Sequence, residues 1–430
     1  MGRAAQRLLT QRLLAAQLLT ARALIVGIAA LATLAGCTAG QATNQHEDHP
    51  TTSQATQPTP LINNGLATTP VMGFNDWNAF GCDVSAKLVE QTADAMLANG
   101  MLAAGYNYVD IDDCWMSKKR SSSGHLVADP HKFPAGIRAV ADYVHARGFK
   151  LGIYESAGSE TCAHFPGSLG HEKTDAADFA AWGVDLLKYD NCGTTPATDS
   201  TQGQYVARYA AMASALADTG RPIVYSICEW GRKNVQEWAP SFANMWRTTT
   251  DIHDSYSSML RIVKINAAAA SAARPGGWND PDMLEVGNGG MSAREQRSEF
   301  SLWAIMAAPL IAGTDLRDAS AQTLAIYLNP DVIAVDQDAR GRQGVLVSSH
   351  GGRDVFVKRL SGGDVAVALF NEGEHAATIS TTVKPGGTSF TGSATVTGLW
   401  SKRSFTIADG RISAEVPPHA TEIYRVHAEG

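Results

Sequence analysis

Between residues 106 and 312 short apolar runs alternate with helical segments. The runs are Tyr106–Ile111, Leu151–Tyr154, Val184–Tyr189, Ile223–Ile227 and Pro309–Ala312. Short, nearly continuous apolar stretches are what parallel strands buried on both faces look like. The polar residues at or just past the strand ends are Asp112, Tyr154, Asp190, Glu229, Asp251 and Asp282, at steps of 42, 36, 39, 22 and 31 residues. Their mean is close to the roughly 31 residues that one βα unit takes in an eight-fold barrel. A doubly wound sheet alternates in the same way, but it gathers its site at one switch point. Six such side chains at successive strand ends fit the carboxyl rim of one barrel. The expected fold class is therefore α/β, a (β/α)8 TIM barrel.

The intervening segments carry helix punctuation. Ser85 is placed to cap a helix with Leu88, Val89, Thr92 and Met96 on one face and a stop at Gly100. Pro134 opens another, with Ile137, Val140, Ala141 and Val144 in register and Gly148 closing it. Thr174 is placed to cap a third that ends at Gly183. After about residue 340 the period changes to two. Asp354–Leu360, Asp364–Phe370, Ala376–Val383, Ala394–Leu399, Ser404–Ala408 and Thr421–Val426 alternate apolar with polar side chains. They predict a C-terminal antiparallel β-sandwich domain packed on one face, with a structural role and no obvious aromatic platform for a sugar.

The N-terminal end reads as an address. Residues 1–22 carry Arg3, Arg7, Arg12 and Arg22 and no acid, and residues 23–36 are uncharged and mostly apolar. Fourteen such residues fall short of the roughly 20 that a bilayer requires, so the expectation is an export signal. It ends in Leu34-Ala35-Gly36-Cys37, which resembles a bacterial lipobox with Cys37 as the lipidation site. Plain cleavage near the small residues is the alternative. Residues 38–64, rich in Thr, Gln, Pro, Asn and Ser, read as a flexible linker. The expected division is thus 1–37 lipoprotein-type signal, 38–64 linker, 65–338 catalytic barrel and 339–430 β domain. The expected location is extracytoplasmic: the bacterial cell surface, the envelope or the medium. A membrane would be met only through the anchor at Cys37. Oligomeric state is not legible. A net charge of −7 argues against a nucleic-acid partner.

Five cysteines remain after Cys37. Their spacings contain no CxxC, which argues against zinc. Two disulfides and one free thiol are the simplest count in an exported chain. Bridges Cys82–Cys114 and Cys162–Cys192 would pin the loops around Asp112 and Asp190. The competing use of a cysteine is a catalytic thiol, with His125, His164 or His253 as its base.

The chemical set is dominated by carboxylates: Asp112, Asp113, Asp190, Glu229, Asp251 and Asp282. Trp77, Trp115, Tyr154, Tyr189, Trp230, Trp246 and Trp278 lie near them in sequence. Carboxylates accept hydrogen bonds from sugar hydroxyls, and indole faces cover the C–H side of a pyranose. Two carboxylates can serve as nucleophile and general acid/base across an oxocarbenium-like transition state. Asp110-Ile-Asp112-Asp113 superficially resembles a calcium site but lacks the loop glycine and distal Glu of an EF-hand. No metal and no cofactor are expected. Lys188 and Asp190 are two apart on a strand and so share a side, with Tyr189 opposite. A lysine there favours the charged carboxylate. Arg247 and Asp251 follow Trp246, and a protonated Asp251 could give its proton to a leaving oxygen.

Ten ordered motifs carry a specific resemblance. MGFNDWNAFGC (72–82), YNYVDIDDCW (106–115), ADPHKFPAGI (128–137), LGIY (151–154), TCAHFPGS (161–168), WGVDLLKYDNC (182–192), CEWG (228–231), WRTTTDI (246–252), GGWNDPDML (276–284) and LWAIMAAPLIAGTDLR (302–317) are similar to the melibiase-type α-galactosidases, glycoside hydrolase family twenty-seven. The resemblance implies a barrel followed by an antiparallel β domain. It implies hydrolysis of terminal α-D-galactosyl residues with retention through a covalent glycosyl-enzyme. Asp190 would be the nucleophile and Asp251 the acid/base. Asp112 and Asp113 would grip galactose at the axial 4-hydroxyl and at C6. Trp77, Tyr154, Lys188, Arg247 and Asp282 would complete the pocket, with Cys162–Cys192 a rim disulfide. Glu229 with Trp230 would fill the space that relatives specific for N-acetylgalactosamine leave open. Some relatives bridge the cysteine before this Glu to one just ahead of the Trp-Arg pair. Here Asn244 and Met245 stand there, so Cys228 is expected free. The weighed alternatives are a β-L-arabinopyranosidase or α-N-acetylgalactosaminidase of the same family, and a non-catalytic surface sugar-binding lipoprotein.

Overall fold

The computed structural model describes residues 64–195, 198–383 and 393–428. Cys37, the signal segment and almost all of the linker lie outside these residues. No helix among the described residues is long and apolar enough to cross a membrane.

Eight parallel strands form the first sheet: β1 (Met72–Asn75), β2 (Tyr108–Ile111), β3 (Lys150–Ser156), β4 (Leu186–Asp190), β5 (Val224–Cys228), β6 (Met245–Arg247), β7 (Trp278–Asp280) and β8 (Leu310–Ala312). Neighbours in sequence are neighbours in the sheet from β1 to β7, and β1 also pairs with β8. The last seam is closed beyond β7. The amide of Leu284 donates to Ile311 at 2.8 Å, and that of Gly313 donates to Leu284 at 3.0 Å. A closed ring of parallel strands wrapped by helices is a TIM barrel.

Three of these strands have no counterpart among the apolar runs. β1, β6 and β7 are only three or four residues long and contain Asn75, Arg247, Asn279 and Asp280. Side chains facing a polar barrel interior remove the hydrophobic signature. The helix Ala86–Ala98 starts at Ser85, whose hydroxyl accepts from the Leu88 amide. The next, Gly136–His145, begins two residues after Pro134. The helix Glu172–Trp182 already contains Thr174, so Thr174 is not its cap. Glu172 and Asp175 supply favourable negative charge in its first turn. Gly183, at φ 87°, ends it in the left-handed conformation that glycine tolerates.

The C-terminal strands are β9 (Val345–Ser349), β10 (Arg353–Arg359), β11 (Val365–Asn371), β12 (Ala377–Thr382), β13 (Ala394–Gly398), β14 (Ser404–Ile407), β15 (Arg411–Val416) and β16 (Thr421–Ala428). They form a six-stranded antiparallel sheet, ordered β14-β13-β16-β11-β10-β9, and a separate β12–β15 pair. Val367, Leu369, Ile379, Ile412 and Val426 fill the space between the two layers. The larger sheet departs from the expected packing on one face, because β11 is buried along its whole length. Ala366, Ala368 and Phe370 join the cluster that contains the apolar face of helix Ala293–Ile305. Small alanines let that helix approach the sheet closely, and the β domain is thereby welded to the barrel.

Candidate active site

The site follows from strand alternation. Tyr108, Leu186, Val224, Met245 and Trp278 form an apolar cluster that plugs the amino end of the barrel. Two residues further along the same strands stand Asp110, Lys188, Ser226, Arg247 and Asp280, around a small void of about 30 Å³. Two further again come Asp112, Asp190, Cys228 and Asp282, which line an open cavity of about 890 Å³ at the carboxyl end. The outward residues between them are mostly apolar, Asn279 being polar. Tyr189, for example, meets the rings of Tyr209 and Tyr225.

Of the eleven sugar-site residues read from the sequence, ten line this one cavity: Trp77, Asp112, Asp113, Tyr154, Lys188, Asp190, Trp230, Arg247, Asp251 and Asp282. Glu229 is not among them. It is the first residue past β5, does not line the cavity and is buried, and burial lifts its carboxyl to about 8. The expectation that Glu229 fills the pocket is therefore corrected. Cys228 and Trp230 stand at the wall instead, and Trp230 enters it from a left-handed backbone at φ 61°. The aromatic expectation narrows as well. Trp115, Tyr189, Trp246 and Trp278 are buried away from the cavity, which leaves Trp77, Tyr154 and Trp230 as its rings.

Asp190 is held by two donors. The Tyr154 hydroxyl donates to Oδ2 at 3.0 Å, and the Asn191 amide donates to Oδ1 at 2.8 Å. Burial raises its pKa to about 6, while Lys188 and the Asn191 amide pull the other way. The charge-stabilising lysine foreseen from the sequence is present but outweighed. Its closest partner is Asp112, whose Oδ2 accepts from Lys188 Nζ at 2.7 Å and from Asn75 Nδ2 at 2.8 Å. Asp113 accepts the Cys114 amide at 2.6 Å and the Ala163 amide at 2.9 Å. Disulfides Cys82–Cys114 and Cys162–Cys192 tie down the loops that present these carboxylates.

Across the cavity Arg247 Nη2 lies 2.8 Å from Asp282 Oδ2 and 3.1 Å from Asp251 Oδ1. Arg247 is buried, whereas the Asp251 side chain is 64% exposed at the mouth. Asp282 sits at φ 97°, a strained conformation for a side chain with a Cβ. The amides of Ile252 and Met283, at 2.8 and 2.9 Å, hold it there.

The other chemistries do not fit. The Cys228 thiol is free and buried, and burial raises its pKa. Its polar neighbour is Arg247 Nη1 at 3.6 Å. His125 and His164 instead pair with Asp178 and Glu160. Among the described residues no imidazole hydrogen-bonds the Cys228 thiol, although His253 lines the same cavity. Cys162, Asp190 and Cys192 bring metal-ligand atom types together, but both sulfurs are bonded to each other. Sequence reasoning weighed Asp110 only as part of a calcium-like string and passed over Asp280 and Glu285. Asp110 and Asp280 were available as the residues two before Asp112 and Asp282. Glu285 carries no such signal.

Comparison with known proteins gives a consistent result. A family model described as alpha galactosidase A matches residues 69–338, and one described as the alpha galactosidase C-terminal beta sandwich domain matches 350–426. Alpha-galactosidase 2 of Arabidopsis thaliana is 47% identical over 85% of this chain and 91% of its own. The crystal structure of alpha-galactosidase I from Mortierella vinacea superposes with a TM-score of 0.82 at 37% identity, covering 86% of this chain and all of the other. The alpha-galactosidase of Saccharomyces cerevisiae, solved with raffinose, gives 0.80 at 32% identity over 85% and 99%.

Proposed function

The chain belongs to the melibiase family of α-galactosidases, and we propose that Asp190 and Asp251 carry its reaction as nucleophile and acid/base. The activity is hydrolysis of terminal α-D-galactosides through a covalent galactosyl-enzyme. The observation that carries the assignment is the contrast between the two carboxylates in one cavity. Asp190 is buried and gripped by Tyr154, with Lys188 nearby, whereas Asp251 is open to solvent beside Arg247.

In the first step Asp190 Oδ attacks the anomeric carbon, and the bond to the leaving oxygen breaks. Asp251 gives that oxygen its proton. In the second step Asp251 takes a proton from water, whose oxygen displaces Asp190 from the opposite face, the one the leaving group vacated. Two inversions give net retention. Asp112 and Asp113 accept hydrogen bonds from galactose hydroxyls. Trp77 covers the C–H face of the ring, and Arg247 with Asp282 fixes the far side. The role once expected of Glu229 passes to Cys228 and Trp230, which stand where a 2-substituent would enter. Proton NMR of p-nitrophenyl α-D-galactopyranoside hydrolysis tests the mechanism. α-Galactose must be released first, and Asp190→Asn must be silent until azide restores turnover as β-galactosyl azide. β-Galactose released first would overturn the retaining pair.

We also propose that the chain is exported, with residues 1–37 as signal, Cys37 as lipid anchor and 38–64 as tether to domains 65–338 and 339–430. The arginine-rich start, the Leu-Ala-Gly-Cys string and two disulfides support this reading.

A further inference from the structure

The layer beneath the sugar cavity holds polar groups that take no part in the two steps above. Its void of about 30 Å³ is lined by Asp110, Ser226 and Asp280, and by Lys188, Arg247 and Asp282, which also line the cavity. A buried water needs roughly 10–15 Å³ and two to four polar partners. Both are available. Arg247 is accounted for except at one atom. Its Nη1 lies 3.6 Å from Cys228 Sγ, and its Nη2 donates to Thr249 O at 3.2 Å and reaches Asp251 and Asp282. Its Nε is buried and has no partner among the described residues, and the same is true of Asp110 Oδ1. A buried donor and a buried acceptor thus belong to residues that border one void of water size.

The backbone opposite seats Asp110 there. Asp110 pairs in register with Gly152 on β3. A Cβ built on Gly152 would come within 1.8 Å of Asp110 Oδ1 and 2.5 Å of its Cγ. The carboxyl therefore takes the place that a side chain on β3 would fill. Burial and the charge of Asp112 lift it to about 8 against the pull of Lys188, so near neutral pH it carries a proton. Such a carboxyl both donates and accepts.

We propose that the void is a hydration site in which an ordered water joins Arg247 Nε to Asp110 and to the Ser226 hydroxyl, and that Asp110 and Ser226 are thereby positioning residues for Asp251. The inference rests on the assignment of Asp251 as acid/base. A guanidinium is planar, so fixing Nε fixes the direction of Nη2. That Nη2 in turn lies 3.1 Å from Asp251 Oδ1. Without the water the buried Nε–H is left unsatisfied, which is costly for a charged group. A rotation of the guanidinium that relieves it carries Nη2, and with it Asp251, away from the leaving oxygen. Asp110 and Ser226 do not line the sugar cavity, so their effect passes through Arg247.

The test reads proton delivery as well as activity. Melibiose departs through a sugar oxygen that must be protonated, whereas p-nitrophenolate leaves with little help. Ser226→Val fills the void with a methyl group, and Asp110→Ala removes the acceptor. Each is expected to raise the ratio of kcat/KM for p-nitrophenyl α-galactoside over melibiose at least about fivefold. Asp110→Asn keeps a donor and an acceptor and is expected to recover the larger part of that change. If Ser226→Val does not fold, the two Asp110 variants read the same ratio. Crystals of the wild-type enzyme should show a water within hydrogen-bond distance of Arg247 Nε and Asp110 Oδ1. A wild-type void without that water would overturn the proposal. So would an unchanged ratio in a folded variant, whether or not both rates fall, or Asp110→Asn behaving as Asp110→Ala. A wild-type enzyme inactive on both donors would instead overturn the reading on which the proposal rests, while the crystal would still decide the hydration site.

Discussion

The barrel interior and the sandwich interior are both built from strands alternating with period two, yet they are filled with opposite chemistry. Between the sandwich layers lie Val355, Val367, Leu369, Ile379, Ile412 and Val426, with no charge among them. Inside the barrel, Tyr108, Leu186 and Trp278 are followed along their strands by Asp110, Lys188 and Asp280, and then by Asp112, Asp190 and Asp282. Burying paired charges is a poor way to stabilise a fold, because desolvation offsets the attraction. The barrel retains them because they make the site. The junction shows the same contrast from the other side. Lys358, on β10, is buried, but it points to barrel carbonyls, donating to Val335 O at 2.6 Å.

The largest expected effect breaks the comparison directly. Lys188→Met leaves Asp112 buried without its cation, and removing one partner of a buried pair costs about 3–5 kcal/mol. Asp190 loses its nearest cation in the same change, so kcat/KM for an aryl α-galactoside should fall by orders of magnitude. Leu369→Ala in the sandwich should cost about 2–5 kcal/mol through the cavity it leaves, with kcat/KM preserved. Thermal unfolding and kinetics on both variants decide it. Intact kinetics in Lys188→Met, or lost kinetics in Leu369→Ala, would show that the two interiors are not divided as argued.

A middle-sized effect concerns pH. Burial raises Asp190 and Asp280 to about 6, Glu285 to about 7 and Asp110 to about 8. Unfolded, such groups titrate near 4. Between pH 4 and 8 the folded chain therefore holds protons that the unfolded chain has released. The stability this contributes is complete below about pH 4 and is lost as pH rises through 6 to 8. The melting midpoint should fall by several degrees from pH 5 to pH 8, and Asp110→Asn should flatten that fall. A slope unchanged in the variant would remove Asp110 from the account. Asp190 itself should set the acid limb of kcat/KM near pH 6.

Legibility in the sequence followed the same division. β2, β3, β4, β5 and β8 were readable as apolar runs, and six of the eight sandwich strands as alternation. β1, β6 and β7 were not, since MGFN, MWR and WND are short and turn polar side chains inward. Ten of the eleven residues read as a sugar site line one cavity, and they were legible because the family's motifs place them one by one. The buried layer beneath them was not sought, although Asp110 and Asp280 stand two residues before Asp112 and Asp282. Cavity residues such as Thr314 and Asp318 lie on irregular segments, where no period marks which side chain faces the cavity.

The smallest effect sharpens the one site reading that the cavity lining overturned. Motif position makes Glu229 a pocket residue, whereas Cys228 and Trp230 line the cavity and Glu229 is buried off it. The two accounts differ in a measurable way. Glu229→Gln keeps the volume and removes only a carboxyl that burial already holds up at about 8. It should change the ratio of kcat/KM between α-galactoside and α-N-acetylgalactosaminide by less than twofold. Trp230→Ala removes an indole from the wall where a 2-acetamido group would lie, so it should shift that ratio toward the acetamido sugar about tenfold or more. A single methylene in an apolar pocket is already worth about 1–3 kcal/mol in discrimination, and an indole is larger. A large shift in Glu229→Gln with none in Trp230→Ala would mean that the carboxyl reaches the sugar after all. The turn that follows β5 would then carry it to the cavity wall.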